Sequence, residues 1–108
     1  MTSAHVVSIT TTFSTSAAAE ACGRRLVESR LAACVQVEGP VTSIYRWAGT
    51  VEVATEWRCV CKTLPERQAE CIAAIRSGHE YAIPQILVAT LAGSPDYAAW
   101  VRDSLVSA

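Results

Sequence analysis

No Cys-x-x-Cys pair, no His-Glu-x-x-His, no glycine-rich phosphate loop and no Gly-x-Ser-x-Gly elbow occurs in these 108 residues. Their absence removes the commonest signatures of zinc ribbons, zinc proteases, nucleotide sites and serine hydrolases. Neither sign of charge is in excess, since nine Lys and Arg against ten Asp and Glu leave −1. The chain therefore lacks an electrostatic footprint for a nucleic-acid backbone or an anionic membrane surface. No apolar run reaches the ~18 residues that cross a bilayer. Met1 to Phe13 lacks the basic start, apolar stretch and small-residue cleavage site of a secretory leader. The expected compartment is the cytoplasm, with no nucleic-acid and no membrane partner. Repeats, low-complexity tracts and linkers are missing as well, so one domain over 1–108 is expected.

What the chain does have is apolar content. Hydrophobic residues make up 51%, and the mean hydropathy of +0.26 is high for a domain that stands alone in water. Some apolar surface is expected to lie against a partner. Cys22, Cys34, Cys59, Cys61 and Cys71 are odd in number, which argues for reduced thiols rather than a disulfide framework.

Periodicity divides the chain into elements. His5 to Thr12 is rich in β-branched residues and reads as a strand. Ser14 or Ser16 can cap a helix over Ala17 to Arg30, with Ala18, Cys22 and Leu26 on its apolar stripe and Gly23 as a weak point. Leu31 to Trp47 reads as an edge strand interrupted at Gly39-Pro40. Ala48-Gly49 turns it into a second strand, Val51 to Thr63. On that strand Val51, Val53, Thr55, Trp57, Cys59 and Cys61 are expected to face the core, and Glu52, Glu56, Arg58 and Lys62 the other side. Thr63-x-x-Glu66 reads as a capping box for a helix that buries Cys71, Ile72 and Ile75 and ends at Gly78 as C′. Tyr81 to Leu91 reads as a strand. Ser94-Pro95-Asp96 opens a last helix with Tyr97, Trp100, Val101 and Leu105 on its buried stripe.

The order β-α-β-β-α-β plus a helix is that of an α+β, ferredoxin-like sandwich with a C-terminal helix. Right-handed crossovers place the first and third strands in the centre. Both inner helices then pack on one face and leave the other uncovered. The last strand becomes an edge that is apolar on both sides, which favours self-association.

Few residues offer chemistry. Cys59 and Cys61 form Cys-x-Cys, but residues two apart on a strand are ~6.5 Å apart and share the apolar side, so they are expected to be core. Replacing Cys59 with Ser is expected to cost stability for want of a hydroxyl partner. His79 follows Gly78 in a turn, where it can ligate a metal, move protons or simply be solvated. Tyr45 and Trp47 stand at a hairpin tip, the place of residues that dock onto something.

Five blocks in this order resemble a known family: L-V-E-S-R-L-A-A-C-V from Leu26, T-S-I-Y-R-W-A-G from Thr42, C-K-T from Cys61, H-E-Y-A-I-P-Q-I from His79 and D-Y-A-A-W-V from Asp96. Together they are similar to the CutA, or divalent-cation-tolerance, family over about Val6 to Leu105. The resemblance implies a ferredoxin-like subunit in a homotrimer, similar in plan to PII signalling proteins, that binds divalent metal ions such as copper and is not an enzyme. It implies a cleft between subunits lined by Tyr45, Trp47, Glu56, Lys62 and Tyr81. It implies His79 as the metal residue, with Glu80 beside it in place of the family's usual proline. The alternatives are a PII-like small-molecule signalling trimer and an enzyme using His79, Lys62 and Glu56 as acid-base groups.

Overall fold

β1 (His5–Phe13) gains its extended form from a run of β-branched side chains. α1 (Ser16–Glu28), β2 (Cys34–Trp47), β3 (Thr50–Thr63), α2 (Pro65–Ser77), β4 (Leu87–Ala92) and α3 (Pro95–Leu105) follow in a computed structural model that describes residues 4–106. The four strands form one antiparallel sheet in the order β2-β3-β1-β4. This is the ferredoxin-like arrangement, with the first and third strands central as expected.

α1 begins one residue before the expected stretch, because Thr15 rather than Ser14 or Ser16 is its cap: the Thr15 hydroxyl accepts the Ala18 N–H at 3.1 Å. Gly23 has a packing reason. A Cβ there would stand 2.9 Å from Val35 Cγ1, so the glycine lets α1 settle closely on β2. The α2 capping box does not form. Thr63 is still in β3, its hydroxyl donates to the Leu31 carbonyl at 2.8 Å, and Leu64 takes the cap position without a side-chain bond. Gly78 is the C-cap, at φ −115°, not a left-handed C′. Cys71 and Ile75 are buried as expected, while Ile72 is only partly so.

Two cores flank the sheet. On one face Val7, Ile9, Phe13, Cys59 and Cys61 meet Cys22 and Leu26 of α1 and Cys71 and Ile75 of α2. On the other, Val6 and Leu64 meet Ala98, Val101 and Leu105 of α3. The second face is thus not left bare; α3 covers the end where β1 begins and β3 finishes. Tyr97 and Trp100 do not join that core. They stack on each other at 5.7 Å, and both are exposed.

The β2–β3 hairpin outruns the rest of the fold. β1 ends at Phe13, opposite Trp57, so Thr50 to Glu56 pair with β2 alone. The register slips between Glu38 and Val41, at the Gly39-Pro40 interruption. Ala48 and Gly49, at φ 51° and 81°, make the two-residue turn that suits a twisted hairpin. Because no helix among the described residues reaches the face of this arm that carries them, Val51 and Val53 are 57% and 66% exposed, contrary to the core position their alternation suggests. The last strand is also shorter than expected. It starts at Leu87, because Pro84 has no N–H to pair and the Tyr81 N–H is bonded to His79. All six residues of β4 are exposed.

Candidate functional site

The segment from Gly78 to Ile86 crosses the end of β1 and touches both faces of the sheet. His79 lies against Phe13, ring centroids 4.4 Å apart and 15° from parallel. Its Nδ1 accepts the Tyr81 backbone N–H at 3.0 Å. A backbone amide can only donate, so Nδ1 carries a lone pair and Nε2 carries the proton. Nε2 stands 3.2 Å from the Thr11 hydroxyl. The ring is a neutral, two-sided bracket for this segment. Burial holds its pKa below the usual 6.5, against the smaller upward pulls of the Thr12 backbone, Glu80 and Glu56.

Glu80 and Tyr81 complete the bracket. Glu80 Oε1 accepts the Ser14 N–H at 2.6 Å, a bond that draws its carboxyl below the usual range. The Tyr81 hydroxyl donates to Glu56 Oε2 at 2.8 Å. Burial first, and then the Glu56 carboxylate, push the phenol well above its ordinary value. Glu56 itself is only 9% exposed although it carries a charge. Around it opens a pocket of about 600 Å³, walled by Tyr45 and Trp47 from β2, Thr12 from β1, Glu56 from β3, and Glu80 and Tyr81 from the crossing segment.

The pattern of the CutA1 divalent ion tolerance protein family matches residues 7–104. The chain belongs to the CutA1 family. The CutA homolog of Xenopus laevis is 38% identical over 81 residues; the match covers 74% of this chain but 54% of that one, so the chain spans about half of that relative's length. The CutA of Archaeoglobus fulgidus is 33% identical over 88 residues, covering 81% and 85% of the two chains. Its solved structure, described as that of a periplasmic protein, superposes with a TM-score of 0.89 over 94% of this chain and 99% of that one. CutA from Synechococcus elongatus superposes with a TM-score of 0.91 at 36% identity, over 98% of this chain and 95% of that one. The same protein has also been solved with a bound Bis-Tris molecule.

Measured against the CutA-type cleft expected from the sequence, Tyr45, Trp47, Glu56 and Tyr81 do meet in one pocket within a single chain. Lys62 does not. It lies six residues from Glu56 along β3, roughly 20 Å at strand spacing, and its Nζ donates to Gln36 Oε1 at 3.1 Å. His79, Lys62 and Glu56 therefore do not assemble an acid-base group in one chain. His79 has no free nitrogen, and among the described residues no three His, Cys, Asp or Glu side chains converge as a metal site. Cys59 and Cys61 are fully buried free thiols. Burial raises the Cys59 pKa to about 12 and the Cys61 pKa further, which disfavours the thiolates a metal needs. Phe13, Thr11, Ser14 and Thr12, which hold the crossing segment, carried no motif that marked them; only the fold brings them near residue 80.

The His79 bracket has a pH signature. Its folded pKa lies below the unfolded 6.5, so in the interval between the two values the unfolded chain binds the extra proton. Stability from this group is complete above about 6.5 and falls as pH drops through the folded value. Urea midpoints between pH 7.5 and 5 are expected to decline in the wild type and to decline less in His79→Gln. Parallel curves for the two proteins would show that the ring is not held neutral.

Proposed function

We propose that this protein serves divalent-cation tolerance by binding rather than turnover, as a homotrimer in the cytoplasm. The family match across residues 7–104 carries the reading. The exposed edge strand β4, with Leu87, Val88 and Leu91 each more than two-fifths exposed, supports self-association. Five free cysteines, four of them buried, suit a reducing compartment.

Metal binding on this reading is weak. An ion recruited to His79 and Glu80 must displace the Tyr81 N–H from Nδ1 before it gains a nitrogen ligand, and Glu80 adds one oxygen. Sites with so few protein donors prefer copper by the usual affinity order but hold it loosely. Calorimetric titration is expected to show copper bound more tightly than zinc, both weaker than about 1 μM. His79→Ala should remove most of the copper signal and leave the particle mass unchanged. Submicromolar copper binding that survives His79→Ala would sink the assignment. Loss of the gene should increase sensitivity to copper, and equal growth with and without it would count against tolerance itself.

A second reading is favoured by the pocket: a trimer that senses a small molecule, the role suggested by likeness of plan to PII proteins. The support is the enclosure of a buried carboxylate among three aromatic rings, together with the Synechococcus elongatus relative that was solved with Bis-Tris.

A further inference from the structure

We infer that α3 is a latched strap: Arg30 and Arg67, reaching from the face covered by α1 and α2, grip its last turn on the opposite face, and α3 opens as a unit of its own. Every contact involved lies within one chain, so the inference stands apart from the assembly and from both readings of the function.

Arg30 is the starting point. Its backbone is left-handed, at φ 58°, a conformation that strains any residue with a Cβ. α1 ends with Ser29 as its C-cap, so Arg30 occupies the next position, where glycine ordinarily takes that conformation without strain. An arginine there supplies what glycine cannot. Its Nη1 donates to the Ser104 carbonyl in the last turn of α3 at 3.0 Å. Arg67, in the first turn of α2, donates its Nη2 to the next carbonyl, that of Leu105, also at 3.0 Å. Glu70 stands 3.7 Å from the Nη1 of the same guanidinium and orients it.

The two grips come from the end of α1 and the start of α2, whereas α3 packs on the other face of the sheet. Both side chains therefore reach past the end of the sheet, where the Ala33 N–H bonds to the Lys62 carbonyl. The carbonyls they hold belong to the last turn, which a helix leaves without partners of its own. Their charge also sits at the negative end of the helix dipole. The other end of α3 is held more simply. Ser94 caps it without a side-chain bond, and the Gly93 N–H donates to the Ala4 carbonyl at 2.6 Å. Between the ends, Ala98, Val101 and Leu105 are the buried residues, and they meet a core separate from the one under α1 and α2. An element with a small apolar contact of its own opens at a lower free energy than the whole fold. The charged hydrogen bonds of Arg30 and Arg67 are the stronger kind, so they set how often α3 opens.

Native-state amide hydrogen exchange of the full chain, followed by NMR, reads the latch. In the wild type the amides from Ala98 to Leu105 should exchange about tenfold or more faster than those of Ile9 in β1 and Leu26 in α1. Arg30→Gly removes the grip and the backbone strain together. Its urea midpoint should stay near that of the wild type, and Ile9 and Leu26 should change little, while exchange in α3 speeds up about tenfold. Arg67→Gln removes a grip and relieves no strain, so it should speed α3 exchange by a similar factor and lower the urea midpoint as well. Arg76→Gln alters an exposed arginine of α2 with no bond to α3 among the described residues, and should leave α3 exchange unchanged. If Arg30→Gly fails to fold, the comparison of Arg67→Gln with Arg76→Gln still decides the grip. Unaltered α3 exchange in both Arg30→Gly and Arg67→Gln overturns the latch, and so does an equal acceleration by Arg67→Gln and Arg76→Gln. Wild-type α3 amides as slow as those of Ile9 and Leu26 overturn the separate opening.

Discussion

Val53→Lys is expected to take the protein from three chain masses to one. In an isolated chain this substitution is harmless: Val53 is 66% exposed, and changes at such surface positions ordinarily stay within about 0.5 kcal/mol. In the proposed trimer it is not. Val53 sits directly across the hairpin from Ile44, itself 70% exposed, and Val51 continues the same face. These three side chains lie on the side of the sheet that α1 and α2 cover further down, on the arm that outruns them. A neighbouring subunit that covers the arm gains roughly 1.5–3 kcal/mol for each. A lysine there forfeits that gain and must also desolvate an unpaired ammonium. Light scattering should give close to three times 11.5 kDa for the wild type and 11.5 kDa for the variant. The variant's melting temperature should fall as well, and the wild type's should rise with concentration. An unchanged mass and melting point in Val53→Lys would mean that the hairpin face is free surface, and the apolar excess of the sequence would need another explanation.

The same arm shows where sequence reading stops. Alternation along Val51 to Cys61 correctly assigns these residues to one face, since Cys59 and Cys61 are fully buried. Alternation cannot say how far the cover extends. That is set by where β1 ends, opposite Trp57, and β1's length is a property of another segment. The hairpin itself was legible because Gly39-Pro40 and Ala48-Gly49 are local signals with local consequences. The start of β4 was not. Tyr81 to Ile86 has strand-like apolar spacing, but Pro84 and the engaged Tyr81 N–H deny it a ladder. Tyr97 and Trp100 fit a helical stripe by spacing, yet α3 turns Ala98, Val101 and Leu105 inward and leaves the two rings on each other. In the candidate site the resemblance named residues, and the fold decided their company. Glu56 and Lys62 share a strand face and are six residues apart, so within one chain the pocket holds the first and not the second.

The four buried thiols permit a sharper comparison, because two neighbours on one strand differ in a single hydrogen bond. The Cys59 thiol donates to the Ala19 carbonyl at 3.2 Å. A serine at 59 inherits that acceptor, so the expectation from sequence that its hydroxyl would be stranded does not hold. Cys61 is equally buried and has no acceptor among the described residues. Cys61→Ser should therefore cost about 2–3 kcal/mol and Cys59→Ser about 1 kcal/mol or less. For a domain of this size the first corresponds to a drop of roughly 8–20 °C in Tm. Thiol chemistry checks the same core independently. Burial lifts Cys59 to about 12 and Cys71 to about 11, so at pH 8 almost no thiolate is present to react. An aromatic disulfide reagent should label the partly exposed Cys34 quickly and the other four only on unfolding. Equal losses from the two serine variants would remove the Ala19 contact from the account. Prompt labelling of four or five thiols in the native protein would go further, because it would require the helix-side core to be open at the strand that anchors the hairpin.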